Sequence, residues 1–181
     1  MFDEQSLSRL RSIGLSPPIL DRLLAHARHE TLRPMRVTEV QRDAVTLHDG
    51  RHEHRARALP ALLQALAEQA DALAVGDWVL AEHSALGEWW VRARVAPETQ
   101  LARRAADGGH GARRQVIVSN VDTALLVMGL DHDFNYKRLD RYLTLARVAG
   151  VGVLVVLTKA DGCADIAPAA RRRRAPATGR G

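Results

Sequence analysis

A single cysteine, Cys163, stands among the 181 residues. It excludes an intramolecular disulfide framework. No apolar run approaches the roughly 18–20 residues that cross a bilayer. The start, Met1-Phe2-Asp3-Glu4, is acidic and lacks the apolar core of a secretory signal. A cytoplasmic protein without a membrane anchor is the expectation. No Gly-Lys pair followed by Ser or Thr occurs, so these residues include no phosphate-binding loop of the G-x-x-x-x-G-K-[ST] kind. Acid is also missing from residues 171–181, which hold Arg171, Arg172, Arg173, Arg174 and Arg180. Without those five of the 26 basic residues, 21 remain against 21 acidic ones. The net charge of +5 is therefore a property of the tail, and the body gives no electrostatic hint of a polyanionic partner.

What is present has a clear order. Residues 1–32 carry leucines and isoleucines at helical spacing: Leu7, Leu10 and Ile13, then Ile19, Leu20, Leu23 and Leu24. Two short N-terminal helices are expected, joined near Gly14, the second with Ser16 as N-cap and Pro17-Pro18 in its first turn. They suit docking on the next domain.

Residues 33–98 read as five short strands with one helix, over 60–72, between the third and fourth. Asp49-Gly50 marks a hairpin. Val75-Gly76-Asp77-Trp78-Val79 and Trp89-Trp90-Val91-Arg92 open the last two strands. This is the pattern of an all-β OB barrel, a fold that commonly binds nucleic acid on an open face. Residues 99–112, with Asp107-Gly108-Gly109-His110-Gly111, read as a linker. From 113 to 163 the pattern becomes α/β. Val116-Ile117-Val118 and Thr123 to Gly129 are strand-like, and Asn135 to Val148 is helical with Leu139, Tyr142, Leu143 and Ala146 on one face. Val151 to Leu157 is a continuous apolar run, suited to a strand buried on both faces of a parallel sheet. Residues 164–181 lack periodicity and read as disordered. Their arginine run among alanines and prolines reads as a slipped reading frame or a truncation.

In an open parallel sheet, ligands sit beyond the carboxyl ends of the strands. Thr158-Lys159-Ala160-Asp161 falls there. A carboxylate meets the ring N–H and exocyclic amine of guanine bidentately, and adenine lacks that donor pair. Asp161 fits this role. The methylenes of Lys159 can cover one face of the base, and the Thr158 hydroxyl can brace the loop. The bare tetrapeptide recurs by chance; its place after a buried strand gives it weight.

Other residues carry weaker signals. Trp89 and Trp90 point to opposite faces of their strand, one for the core and one, Trp90, for base stacking or barrel-edge packing. Arg92 and Arg94, two apart, share a face and are candidate phosphate contacts. So are Arg113 and Arg114, and Lys137, Arg138 and Arg141, whose alternative is ordinary pairing on a helix surface. His52 and His54 alternate at a spacing seen in metal sites. Nothing completes such a site, so no metal ligand is assigned.

Asn120-Val121-Asp122, then Asp133-Phe134-Asn135-Tyr136-Lys137-Arg138-Leu139-Asp140-Arg141-Tyr142-Leu143, then Thr158-Lys159-Ala160-Asp161 resemble, in order and spacing, the ribosome small subunit-dependent GTPase A family. These are circularly permuted GTPases of the EngC/YjeQ type. Val75-Gly76-Asp77-Trp78-Val79 resembles the family's barrel strand. The resemblance covers roughly residues 33–163, the N-terminal part of such a protein. It implies an OB barrel that binds rRNA, followed by a partial P-loop GTPase-like α/β domain in permuted order. It implies GTP as ligand, hydrolysis coupled to 30S maturation, 16S rRNA and the 30S subunit as partners, and a monomer. Magnesium and a structural zinc are implied only for the complete family protein, through residues that would follow Asp161. An RNA-binding barrel without enzymatic role, or a non-functional truncated product, stays open at this point.

Overall fold

The computed structural model describes residues 3–26, 31–107, 111–132 and 134–162, and within that range leaves the side chains of residues 104–113 undescribed. The expected disordered tail, 164–181, and Cys163 lie outside the described residues. The chain divides into two compact units, Met1–Asp122 and Thr123–Gly181.

The first unit opens with α1 (Glu4–Ser12) and α2 (Pro17–His26). Asp3 caps α1, its carboxylate accepting from the Ser6 amide at 2.6 Å. Gly14, at φ 95°, turns the chain between them. Ser16 Oγ then accepts from the Ile19 amide at 3.3 Å, as the proline-led sequence predicts.

Five strands follow: β1 (Arg33–Val40), β2 (Val45–His48), β3 (Glu53–Ala58), β4 (Trp78–His83) and β5 (Trp89–Arg94), with α3 (Pro60–Glu68) between β3 and β4. They close into a barrel in the order β1-β2-β3-β5-β4, the OB arrangement expected from the strand–helix pattern. Period-two alternation sends Met35, Val37, Val45, Leu47, Ala56, Val79, Ala81 and Val91 inward, where Leu66 of α3 joins them. The outer side of β4 is apolar too. Its Trp78 and Leu80 meet Leu10, Leu15, Ile19 and Leu23 of the helical segment. Burying each such aliphatic side chain contributes about 1.5–3 kcal/mol, which is why the amphipathic helices settle there.

The β2–β3 hairpin turns on Asp49-Gly50. Gly50 has φ 92°, and a Cβ there would stand 2.8 Å from Arg9 Cβ, so the turn sits directly on α1. One Asp49 carboxylate oxygen accepts from the amides of Arg51 (2.7 Å) and His52 (2.8 Å), and the other meets His54 Nε2 at 2.8 Å. Partial burial pushes this carboxyl up. The His52 amide, the His54 ring and the Arg51 amide outweigh that and hold it at about 2. A folded pKa below the unfolded one adds stability above the unfolded value, lost as pH falls toward the folded one. At about 1.4 kcal/mol per unit, and discounted for solvent screening at a third-exposed side chain, the contribution is about 1 kcal/mol. Asp49→Asn is expected to lower urea stability by about that much at pH 7. The gap to wild type should close between about pH 4 and pH 2.

Residues 99–112 are not a linker. They contain β6 (Gln100–Asp107) and the start of β7 (Gly111–Ser119), which pair antiparallel. The last pair of the ladder sets Asp107 opposite Gly111. Val116-Ile117-Val118 therefore pairs with β6 rather than entering the parallel sheet. On its other side Val118 forms an isolated parallel bridge with Val75, ahead of β4.

The second unit has β8 (Thr123–Gly129), α4 (Tyr136–Val148) and β9 (Gly152–Thr158), with β8 and β9 parallel from Thr123↔Gly152 to Gly129↔Thr158. Asn135 caps α4 by accepting from the Arg138 amide at 3.0 Å. Leu139 and Ala146 are buried, whereas Tyr142, expected on the packed face, is 48% exposed. A two-stranded sheet with strands about 4.8 Å apart is narrower than a helix about 10 Å across, so the helix flank overhangs it. The apolar run of β9 is likewise not buried on both faces here. Leu125, Val127, Leu154 and Val156 stand exposed together. The run predicts a buried strand correctly in composition, but burial needs a covering layer, and α4 supplies one on a single side.

Candidate functional site

The in-register pairing of Gly129 with Thr158 puts the carboxyl ends of β8 and β9 side by side. Two loops leave that edge together, Leu130-Asp131 and Lys159-Ala160-Asp161. The Leu130 amide donates to the Thr158 carbonyl at 2.8 Å and ties them. The Thr158 hydroxyl, expected as the brace, reaches the Met128 carbonyl only at 3.5 Å, so the backbone bond is the stronger tie.

Lys159 has φ 56°, a left-handed conformation that costs a non-glycine residue about 1–3 kcal/mol and persists where surroundings enforce it. That turn lays the side chain back over Gly129. A Cβ built on Gly129 would lie 3.3 Å from Lys159 Cδ and 3.2 Å from Asp131 Oδ1. Lys159 Nζ ends on the Asp131 carboxylate. Its methylenes thus form a short apolar shelf, 65% exposed on the lysine side. Asp161 follows in a 3-10 turn, Ala160–Gly162, with its carboxylate exposed. The edge offers a flat stem and an accessible carboxylate, the two features a guanine edge and face require. Sequence reasoning did not single out Gly129 or Asp131. Their signal is position, the last residue of β8 and the second residue beyond it.

The nucleic-acid candidates on the first unit separate. Trp89 and Trp90 do point oppositely, but neither is the core tryptophan. That is Trp78, at 0% exposure. Trp89 packs partly on the barrel core and against the rings of His54 and His83. Trp90 faces outward, half-buried, paired with Glu82 and Arg57. Arg92 is exposed and forms an ion pair with Glu82.

Arg94 does not share that face. Leu80 pairs with Ala93 while Ala81 pairs with Val91, so Arg92 is the extra residue of a β-bulge. A bulge inverts the parity of everything after it, and Arg94 turns in. Its side chain is 7% exposed, and the guanidinium lies 2.5 Å from Asp71 and 3.5 Å from the fully buried Asp77. Arg114 reaches the same Asp71 at 3.8 Å and bonds the Gln100 side chain, which donates to Asp71 at 3.1 Å. Burial would raise the Asp71 carboxyl, but the Arg94, Ala72 and Gln100 hydrogen bonds hold it below its ordinary value. Burial dominates at Asp77 and pushes its carboxyl up, opposed by the Ala74 amide, Ser119 and Arg94. Arg94 and Arg114 are thus internal counter-ions of a polar joint. The side chain of Arg113 lies outside the described residues.

His54 is engaged with Asp49, and His52 belongs to the turn before β3. Among the described residues no group of three or more His, Cys, Asp or Glu is placed to hold a metal ion.

Asn120 is also structural. At φ 53°, its side chain accepts from the Glu98 amide (2.8 Å) and donates to the Gly76 carbonyl (2.9 Å), and its own carbonyl accepts from Arg36 at 2.9 Å. The Asn-Val-Asp and Val-Gly-Asp-Trp segments, distant in sequence, interlock through it.

Comparison with known proteins gives concordant results. The RsgA GTPase family matches at residues 95–178. That range runs into the arginine-rich stretch from 164, which the sequence reading set apart from the family pattern. A small ribosomal subunit biogenesis GTPase RsgA of Xylella fastidiosa (strain M23) is 35% identical over 144 residues, covering 79% of this chain and 41% of that relative. One from Leptospira interrogans (serovar copenhageni, strain Fiocruz L1-130) is 38% identical over 101 residues, 56% of this chain and 28% of the relative. The chain spans about two fifths or less of the length of these curated relatives. In fold it is similar to the crystal structure of YloQ, a circularly permuted GTPase, with TM-score 0.52, 19% identity and coverage of 77% of this chain and 45% of that one. It is similar also to YjeQ from Thermotoga maritima, with TM-score 0.55, 17% identity and coverage of 78% and 46%.

Proposed function

From the premise that this chain belongs to the RsgA GTPase family, we propose that Thr158, Lys159 and Asp161 form a guanine-recognition loop for GTP, and that the OB barrel contacts RNA of the small ribosomal subunit. The observation that carries the first part is the Lys159 stem laid across Gly129 beside the exposed Asp161. The base would stack on that stem, and the carboxylate would accept from its two adjacent donors. Asp131, on the ammonium of Lys159, would hold the shelf in place. Coupling of GTP hydrolysis to 30S maturation, with 16S rRNA as contact and the cytoplasm as location, belongs to this proposal for the whole protein. The relatives' names, small ribosomal subunit biogenesis GTPase, support it.

Guanine contacts alone contribute a few kcal/mol, at about 1.5–3 kcal/mol for hydrogen bonds to a charged group. The 181-residue chain is therefore expected to bind GDP or GTP no more tightly than about millimolar, without turning GTP over. Ligand-observed NMR titration with guanosine and adenosine nucleotides measures this. Guanine preference lost in Asp161→Ala supports the loop, and equal response to adenine removes it. GTP turnover that disappears in Asp161→Ala would overturn the inactivity. An RNA-binding role independent of the nucleotide draws on the self-contained, closed barrel. Salt-sensitive binding to 30S particles that survives Asp161→Ala is the result that favours it.

A further inference from the structure

The RNA-binding reading leaves open which surface of the barrel RNA would meet, and the packing of the first unit narrows it. The helical segment occupies the outer side of β4 and the end of β5, through Leu10, Ile19 and Leu23 against Trp78, Leu80 and Val95. Arg36, which β1 turns outward, is engaged by the Ile13 and Asn120 carbonyls. On the outer face of β3 and β5, Arg55, Arg57 and Arg92 are exposed and Trp90 is half-buried. In register across it lie Thr46 beside Arg55 and Arg57 beside Trp90.

Arg55 and Arg57 alternate with the inward-facing His54, Ala56 and Ala58. Both are exposed, and neither guanidinium has a hydrogen-bond or ion-pair partner among the described residues. This separates them from Arg92, Arg94 and Arg114, each held by a carboxylate of the chain. Residues two apart on a strand stand about 6.6 Å apart, so the two guanidiniums form a short row. The indole of Trp90 lies on the neighbouring strand, about 4.8 Å away in the pairing direction. Toward β1 and at the start of β3 the face turns acidic. Glu39 accepts from Thr46, and Glu53, two residues before Arg55 on β3, accepts from Thr38. A phosphate chain is repelled there and drawn to the far end of β3, at Arg57, and its β5 neighbour Trp90.

Resting on the RNA-binding reading above, we propose that single-stranded RNA crosses the outer face of β3 and β5, with Arg55 and Arg57 on its phosphates and Trp90 stacked on a base. Unpaired cations beside an aromatic plane are the elements of a single-strand platform, and phosphate contacts from such cations set the salt dependence.

The test is titration of the full chain with a fluorescein-labelled oligouridylate over a salt series. Arg55→Gln/Arg57→Gln is expected to weaken binding about tenfold near 0.1 M salt. It should also lower the slope of log affinity against log salt by about 1.4, at about 0.7 per single-strand phosphate. Trp90→Ala is expected to cost about tenfold more affinity, largely recovered in Trp90→Phe. Arg33→Gln/Arg51→Gln, which removes the same charge around α1 and the β2–β3 turn, should leave affinity and slope unchanged. If wild type binds and the Arg55/Arg57 pair has no effect, or Arg33/Arg51 weakens binding equally, the proposed face is wrong while RNA binding stands. If wild type does not bind the oligomer even at low salt, the RNA reading itself falls.

Discussion

Arg94→Ala is expected to destabilise the first unit by about 3–5 kcal/mol, the cost of leaving a buried charge without its partner. Two carboxylates depend on this guanidinium, Asp71 at 2.5 Å and Asp77 at 3.5 Å. Asp77 is fully buried and its carboxyl is already pushed up by that burial, with Arg94 opposing the shift. Removing Arg94 lets it rise further. A carboxyl whose folded pKa lies above the unfolded value favours folding at low pH and loses that contribution as pH rises through the folded value. The deficit of Arg94→Ala should therefore be largest at pH 7–8 and smaller near pH 5. Urea unfolding at both pH values measures it. Adding Asp77→Asn to Arg94→Ala should recover part of the loss, since no buried charge then remains at that position. The bulge neighbour gives the contrast. Arg92, exposed and paired only with Glu82, should tolerate alanine without a measurable change in stability. Equal losses at Arg92 and Arg94 would contradict the inward turn of Arg94.

Gly76→Ala is expected to cost about 3 kcal/mol or more and to detach the β6–β7 hairpin from the barrel. Gly76 has φ 88°, and a Cβ there would stand 2.0 Å from the Ser119 carbonyl oxygen. No rotamer relieves a clash with backbone, so β7 must move. Moving it breaks the Ser119 amide to Val75 carbonyl bond (2.8 Å) and the Asn120 side chain to Gly76 carbonyl bond (2.9 Å). Gly87→Ala is the control. It has a similar φ, 82°, but nothing within 4 Å of the new methyl, so it carries only the backbone strain of about 1–2 kcal/mol. The difference between the two variants isolates the close approach. Amide hydrogen exchange should show lost protection in 100–119 for Gly76→Ala and not for Gly87→Ala.

These two sites also show where the sequence was readable. Asp49-Gly50, the alternation of Met35 with Val37 and of Val45 with Leu47, and the helical run after Pro60 each fix a local conformation. Five such strands with one helix after the third leave few ways to close a barrel, so the OB architecture was legible. The helix from Asn135 and the apolar run before Thr158 were legible for the same reason. The place of the Thr158–Asp161 loop, at the carboxyl ends of β8 and β9, follows from them; its guanine contact is the proposal made above.

What the sequence did not determine was parity, partners and cover. Arg92 and Arg94 look equivalent at a spacing of two. Only the cross-strand register, with Arg92 as a bulge, turns one to solvent and the other onto Asp71 and Asp77. The glycines after Asp107 read as a break until Arg104 is seen opposite Arg114 in a hairpin. Trp78 is no more apolar than Trp89 or Trp90, yet it alone is buried, because α1 and α2 pack on the outer side of β4. The same docking leaves Arg55 and Arg57 open. A residue's type and its local period are written along the chain, so strand and helix follow from the sequence itself. Which side of a strand is covered, and which charge a guanidinium meets, depend on segments that folding brings together from far apart. Tertiary structure alone decided those.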